Sequence, residues 1–83
     1  MGTTPTDFSG RDIVKVLRGH GWDVVDRKGS HVKLRRVDPN TGEVRNVTVP
    51  QYDRIDVDIL QKIAKQSGAN HFHKWCRWID NSR

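Results

Sequence analysis

The sequence lacks the features that mark disulfide-stabilised, membrane-spanning and exported proteins. Cys76 is the only cysteine, so no disulfide can form within the chain. No apolar run approaches the roughly 18 residues that a membrane span needs, and residues 1–6 lack the apolar segment of a secretory signal. A lone thiol is typical of a reducing compartment. We therefore expect a cytoplasmic protein that makes no contact with membranes.

The chain is also too short for two ordinary domains. Its 83 residues fit one compact domain with a thin core, because small domains bury a smaller share of their surface than large ones. The first residues are polar and show no periodic pattern. We expect residues 1–7 to form a flexible tail and residues 8–80 to form a single domain.

Positive charge dominates the sequence and is unevenly placed. The formal net charge is +5, and no acidic residue occurs between Asp26 and Asp38. That segment instead contains Arg27, Lys28, His31, Lys33, Arg35 and Arg36. Clustered cations suggest a polyanionic partner, most often nucleic acid. A solvated cationic face that keeps the protein dispersed is the other interpretation, because net charge alone does not identify a ligand.

Helical periodicity marks two segments on either side of a central region. Ser9 lies three residues before Asp12, a variant of the capping box that begins a helix over residues 10–18. Asp56 can cap a second helix, which ends at Gly68 because glycine readily takes the left-handed conformation after a helix.

A short third helix is predicted near the end of the chain, with Asn70 as a possible cap. Its apolar side contains Phe72, Trp75, Cys76 and Ile79. Trp78 lies off that side and is the best candidate for an exposed or partner-facing aromatic residue. His71, His73 and Cys76 offer a weak zinc pattern, but the two histidines point to different sides of a helix and no fourth ligand follows.

Three segments between the first two helices have the periodicity of β-strands, at residues 22–27, 31–37 and 44–49. Within the second strand Val32 and Leu34 share one face. The opposite face carries His31, Lys33 and Arg35. Since the helices must cover the apolar face, we expect the three basic residues to lie on the free face.

The predicted order is therefore α-β-β-β-α followed by a C-terminal helix. The connections between the strands are short, which favours a three-stranded antiparallel sheet and an α+β fold. A basic open sheet in this order is the architecture of the double-stranded-RNA-binding domain, as a topological analogy.

Four sequence elements resemble the HicA (YcfA-like) toxin family, over roughly Phe8 to Ile79. They are Gly21-Trp22, Lys28-Gly29-Ser30-His31, Val47-Thr48-Val49-Pro50, and the set Leu60, Ile63, Ala64 and Gly68. The resemblance implies a double-stranded-RNA-binding-like fold and cleavage of messenger RNA, single-stranded or structured. It also implies that the chain is the toxin of a type II toxin–antitoxin system, neutralised by a HicB-type antitoxin.

In that family the histidine of the Gly-Ser-His element is the catalytic residue, which corresponds to His31. Many members have a second histidine directly after it, and this chain has Val32 there. The motif therefore offers a single imidazole, and the resemblance does not say whether it acts as base, acid or both.

The residue types around His31 suit metal-independent cleavage of RNA. RNA carries its own nucleophile, the 2′-hydroxyl, and an imidazole can move protons near neutral pH. Cations on the same strand face can stabilise charge on the phosphoryl oxygens. The candidate RNA-binding residues are Arg27, Lys28, Ser30, Lys33 and Arg35. The carboxylates are scattered rather than clustered, so we expect neither a metal site nor a cofactor.

Two other functions use the same residues. A non-catalytic RNA-binding module needs the same cations to bind phosphates. A protein-interaction subunit could use the basic face to bind an acidic partner. Composition does not separate them from an endoribonuclease.

Overall fold

The computed structural model describes residues 3–83 and has the predicted α+β order. Three helices and one three-stranded antiparallel sheet make up the domain. The elements are α1 (Gly10–Gly19), β1 (Asp23–Lys28), β2 (His31–Val37), β3 (Val44–Pro50), α2 (Val57–Gln66) and α3 (Phe72–Ser82). The prediction of three antiparallel strands between two helices, with a further helix after them, is confirmed. Within the described residues, none of these helices is long and apolar enough to cross a membrane.

α1 begins at the predicted capping box. The Asp12 backbone N–H donates to the Ser9 hydroxyl over 3.1 Å, and the Ser9 N–H donates to the Asp12 carboxylate over 3.2 Å. Two of the otherwise unpaired N–H groups at the start of the helix are thus satisfied. The side of α1 that faces the sheet buries Ile13, Val14, Val16 and Leu17.

The sheet has β2 in its centre, with β1 and β3 as antiparallel neighbours. His31 begins β2 and lies opposite Lys28 of β1 and Pro50 of β3. The Gln51 N–H donates to the Ser30 carbonyl over 2.6 Å. Antiparallel pairing alternates, so the backbone nitrogen of Pro50 points away from β2, and the proline ends the strand without breaking the ladder.

The two faces of the sheet have opposite character. Val32 and Leu34 of β2 and Val47 and Val49 of β3 are buried under the helices, and we refer to this side as the covered face. The other side carries His31, Lys33 and Arg35, all exposed, and we refer to it as the open face. The placement of these five β2 residues agrees with the alternation predicted from the sequence.

The remaining helices differ from prediction in their caps. Asp56 does precede α2, but its side chain makes no capping hydrogen bond. The residue before α3 is His71 and not Asn70, so the predicted Asn70 cap is wrong. α3 is one residue longer than α1 and α2, and it buries Trp75, Cys76 and Ile79 as predicted. Both helices are therefore fixed mainly by their apolar sides.

Arg83 joins the end of α3 to the segment before α1. Its guanidinium lies 2.9 Å from the Asp80 carboxylate and 3.3 Å from those of Asp7 and Asp12. It also lies over the ring of the buried Phe8, 4.7 Å from the centroid, which adds a cation–π contact. These contacts hold the end of α3 against the start of α1 and the segment before it.

Candidate nucleic-acid interface

A tight turn positions His31 at the end of the sheet. β1 and β2 are joined by Gly29 and Ser30 alone, and Lys28 and His31 pair across the turn. Gly29 has φ of +60°. The two-residue turn of a hairpin requires a positive φ, which residues with a Cβ rarely adopt. The Gly-Ser pair therefore sets His31 as the first residue of β2, with its ring on the open face.

His31 lines a cavity of about 200 Å³ on the open face. The same cavity is lined by Asp26, Lys28, Lys33 and Thr48. Lys33 is paired with Asp26 on one side and with Thr48 on the other. The structure therefore brings together three of the residues that the sequence marked, His31, Lys28 and Lys33, around one space.

Arg35 lies on the same face but farther from the turn. It pairs with Asp23 of β1 and Asn46 of β3, and it borders a second depression next to the exposed side chains of Val25 and Val37. The open face thus changes along β2, from a basic end at His31 to a mixed end near Val37.

Arg27 and Ser30 are placed differently from the other marked residues. Arg27 pairs with the buried Val32, so it belongs to the covered side of β1 and borders α1. Ser30 is exposed in the turn, and its carbonyl accepts the hydrogen bond from Gln51. The structure does not bring Arg27 to the space around His31.

Three neighbours of His31 were not marked by sequence reasoning, and one of them is Thr48, which lines the cavity. Asp26 reaches the cavity because a β-bulge between Val24 and Asp26 shifts the register of β1. The ring of Tyr52 lies edge-on to the His31 ring, with 6.3 Å between centroids. Tyr52 could have been found from Pro50, since the strand that pairs with His31 ends two residues before it.

The site combines an imidazole, two primary amines, a carboxylate and a hydroxyl on an exposed surface. Such a set can bind a phosphodiester through the amines and move a proton through the imidazole. Because the surface is open, a long polyanion can reach it from several directions.

The weak zinc pattern in α3 does not form a site. His73 is hydrogen-bonded to the Thr4 hydroxyl, and Cys76 is fully buried. Burial raises the pKa of the Cys76 thiol to about 11, so it stays protonated near neutral pH. Within residues 3–83, no three His, Cys, Asp or Glu side chains are grouped as a metal ion would require.

Trp78 is the least buried of the three tryptophans. Trp22 and Trp75 belong to the core, whereas Trp78 is half-buried. Its ring lies against His20, with 4.7 Å between centroids. Neither residue lies near the open face.

Comparison with known proteins gives one family. The model of the HicA toxin of bacterial toxin–antitoxin systems matches residues 10–69, which is more than half of the chain and runs from the start of α1 past the end of α2. No curated protein and no solved structure matches the chain.

Proposed function

This chain belongs to the HicA toxin family of bacterial toxin–antitoxin systems, and from that premise we propose that it is an endoribonuclease that cleaves messenger RNA with His31. The observation that supports this most directly is the cavity on the open face. It is lined by an exposed imidazole and by two amines, from Lys28 and Lys33.

The proposed reaction uses the nucleophile that RNA itself carries. The 2′-oxygen attacks the adjacent phosphorus and the bond from phosphorus to the 5′-oxygen breaks, which leaves a 2′,3′-cyclic phosphate and a 5′-hydroxyl. One proton leaves the 2′-hydroxyl and one reaches the 5′-oxygen. The His31 imidazole can carry out either transfer, and we propose that it does so without a metal ion.

The cations stabilise the crowded phosphate in this proposal. Lys28 and Lys33 border the same space as His31 and can interact with phosphoryl oxygens that gain negative charge. Arg35 continues the positive line along β2 and would hold the next phosphate. Ser30, in the turn before His31, is a hydrogen-bond donor for the same group.

Mutation of His31 tests the proposal. We expect His31→Ala to reduce cleavage of a long single-stranded RNA by about 100- to 10,000-fold, the usual contribution of general acid–base catalysis. His71→Ala is the matched control, because His71 is also exposed and its side chain makes no capping bond. Cleavage is followed on a gel with and without EDTA.

Each outcome of this assay bears on one part of the proposal. If His31→Ala cuts at the parent rate, His31 is not catalytic. If EDTA stops cleavage by the parent protein, the reaction depends on a metal ion. If the parent protein binds RNA and never cuts it, the chain is a non-catalytic RNA-binding module.

The family also implies an antitoxin partner, and we propose that it is of the HicB type and covers the open face. Exposed Val25, Val37 and Val44 lie at the far end of that face. They would supply apolar contacts beside the cations, as protein interfaces require. On the His31→Ala protein, which leaves RNA intact, the antitoxin should displace labelled RNA. A ternary complex would contradict the proposal.

A further inference from the structure

A second basic surface lies on the other side of the molecule from the open face. Arg11, Lys15 and Arg18 recur at i, i+4 and i+7 and form one exposed side of α1. Arg27 of β1 borders the same space, a cavity of about 630 Å³ that is larger than the one at His31. We refer to Arg11, Lys15, Arg18 and Arg27 as the α1 basic surface.

The charge of the α1 basic surface is almost unopposed. No carboxylate lines the cavity. Arg11 lies 3.5 Å from Asp53, but the two side chains are 78% and 98% exposed, and such pairs contribute little. Among residues 3–83, Lys15, Arg18 and Arg27 take part in no ion pair. Like charges on one side of a helix repel each other. A bound polyanion would therefore reduce the repulsion between these cations that is present in the unbound protein.

The composition of this surface favours phosphate groups over a protein partner. Arginine is common at protein interfaces too, but the centre of such an interface is also enriched in aromatic residues and depleted in lysine. No aromatic side chain lines the α1 cavity. Arginine and lysine side chains that reach into solvent are the usual ligands of a nucleic-acid backbone.

The α1 basic surface is connected to the His31 end of the sheet. Arg27 directly precedes Lys28, and the two side chains lie on opposite sides of the edge strand β1. Gln51 lines the α1 cavity, and its N–H donates to the Ser30 carbonyl next to His31.

The start of α1 is held against the same end of the sheet. The Gly10 N–H donates to the Tyr52 carbonyl over 2.9 Å, and a Cβ at Gly10 would collide with the Pro50 carbonyl. Pro50 pairs with His31. A strand that leaves the open face at Lys28 therefore needs only to cross the edge of β1 to reach Arg27 and α1.

We propose that the α1 basic surface is a second phosphate-binding site, which holds the part of an RNA strand that flanks the bond at His31. This rests on the proposed function in one respect, that RNA is the ligand of the open face. Short RNA would contact the open face alone, whereas longer RNA would contact both surfaces.

Binding to RNAs of two lengths tests the proposal in the His31→Ala background. The variant is Lys15→Gln/Arg18→Gln, and the matched control is Lys62→Gln/Lys65→Gln, which removes the same charge from exposed positions of α2. We use RNAs of about 5 and about 20 nucleotides, within and beyond the span of a small binding module. For the longer RNA we expect the α1 variant to lose about 10-fold in affinity and about 1.4 in salt slope. For the shorter RNA we expect no change.

The outcomes are distinct. Unchanged affinity for both RNAs would overturn the proposal and leave an acidic protein as the ligand of this surface. The proposal would also be overturned if the α1 variant lost the same affinity for both RNAs, or if the α2 control lost as much affinity as the α1 variant. Either result would indicate a general effect of net charge. Cleavage by the protein with His31 intact is measured in parallel. Failure of that protein to cut RNA refutes the proposed function, whereas length-independent binding refutes only the α1 site.

Discussion

The two faces of β2 are built from alternate residues of one strand, and they differ in both burial and polarity. Val32 and Leu34 are buried between the sheet and the helices. Lys33 and Arg35, their direct neighbours, are exposed among other polar groups. The apolar residues hold the fold, because burial of apolar area is the main favourable term in folding. The exposed residues contribute little to stability, and their side chains are accessible to a ligand.

This comparison implies that stability and the proposed binding of RNA can be changed separately, by substitutions one residue apart. Leu34→Ala should lower the free energy of unfolding by about 2–5 kcal/mol, since it leaves a cavity in a fully packed site. Lys33→Ala should change it by less than about 0.5 kcal/mol. Lys33→Ala should instead weaken RNA binding and reduce its salt slope by about 0.7.

Urea unfolding and RNA titration at several salt concentrations measure both effects. If Leu34→Ala is unfolded without denaturant, Leu34→Val provides a smaller decrease in the free energy of unfolding at the same position. A stability loss for Lys33→Ala as large as that of the leucine variants would break the comparison, because the open face would then be part of the core.

β2 is the element that the sequence predicted best, and its alternation explains why. A run of seven residues with period two has one register that buries both Val32 and Leu34, so its bounds and its two faces follow from local pattern. The same holds for the start of α1, where Ser9 and Asp12 are three residues apart and satisfy each other. These two predictions were correct because the contacts that determine them are close in sequence.

The side chains of β1 could not be assigned to faces in this way. The bulge after Val24 adds one residue, so Lys28 lies on the open face and Arg27 on the covered side. Strict alternation from Val24 would have exchanged them. Tyr52 likewise reaches His31 through the pairing of β3 with β2, and not through any spacing in the sequence. The part of the candidate site that the sequence missed is the part fixed by contacts between strands.

The smallest expected effect is on the stability of the fold at low pH, through Asp12 in α1. Partial burial acts to raise the pKa of Asp12, but the hydrogen bonds with Ser9 and the charge of Arg83 outweigh it and hold that pKa below its ordinary value of 3.8. Because the folded state lowers this pKa, the ionised carboxylate stabilises the fold. Its contribution is complete well above pH 3.8 and is lost as the pH falls through that value towards the lower pKa of the folded state.

Asp12→Asn should therefore cost roughly 1 kcal/mol of unfolding free energy near neutral pH, the usual effect of weakening a cap, and the cost should shrink as the solution is acidified. Asp23→Asn is the control from the open face, since Asp23 makes no ion pair within residues 3–83. Some slope should persist in every protein, because the Asn40 N–H lowers the pKa of Asp38 in the turn after β2. Urea unfolding from pH 7 to pH 3 measures these curves. The comparison fails if Asp23→Asn reduces the pH dependence of the unfolding free energy as much as Asp12→Asn does. Stability in acid would then depend on charged residues of the open face as well as on those of the helical side.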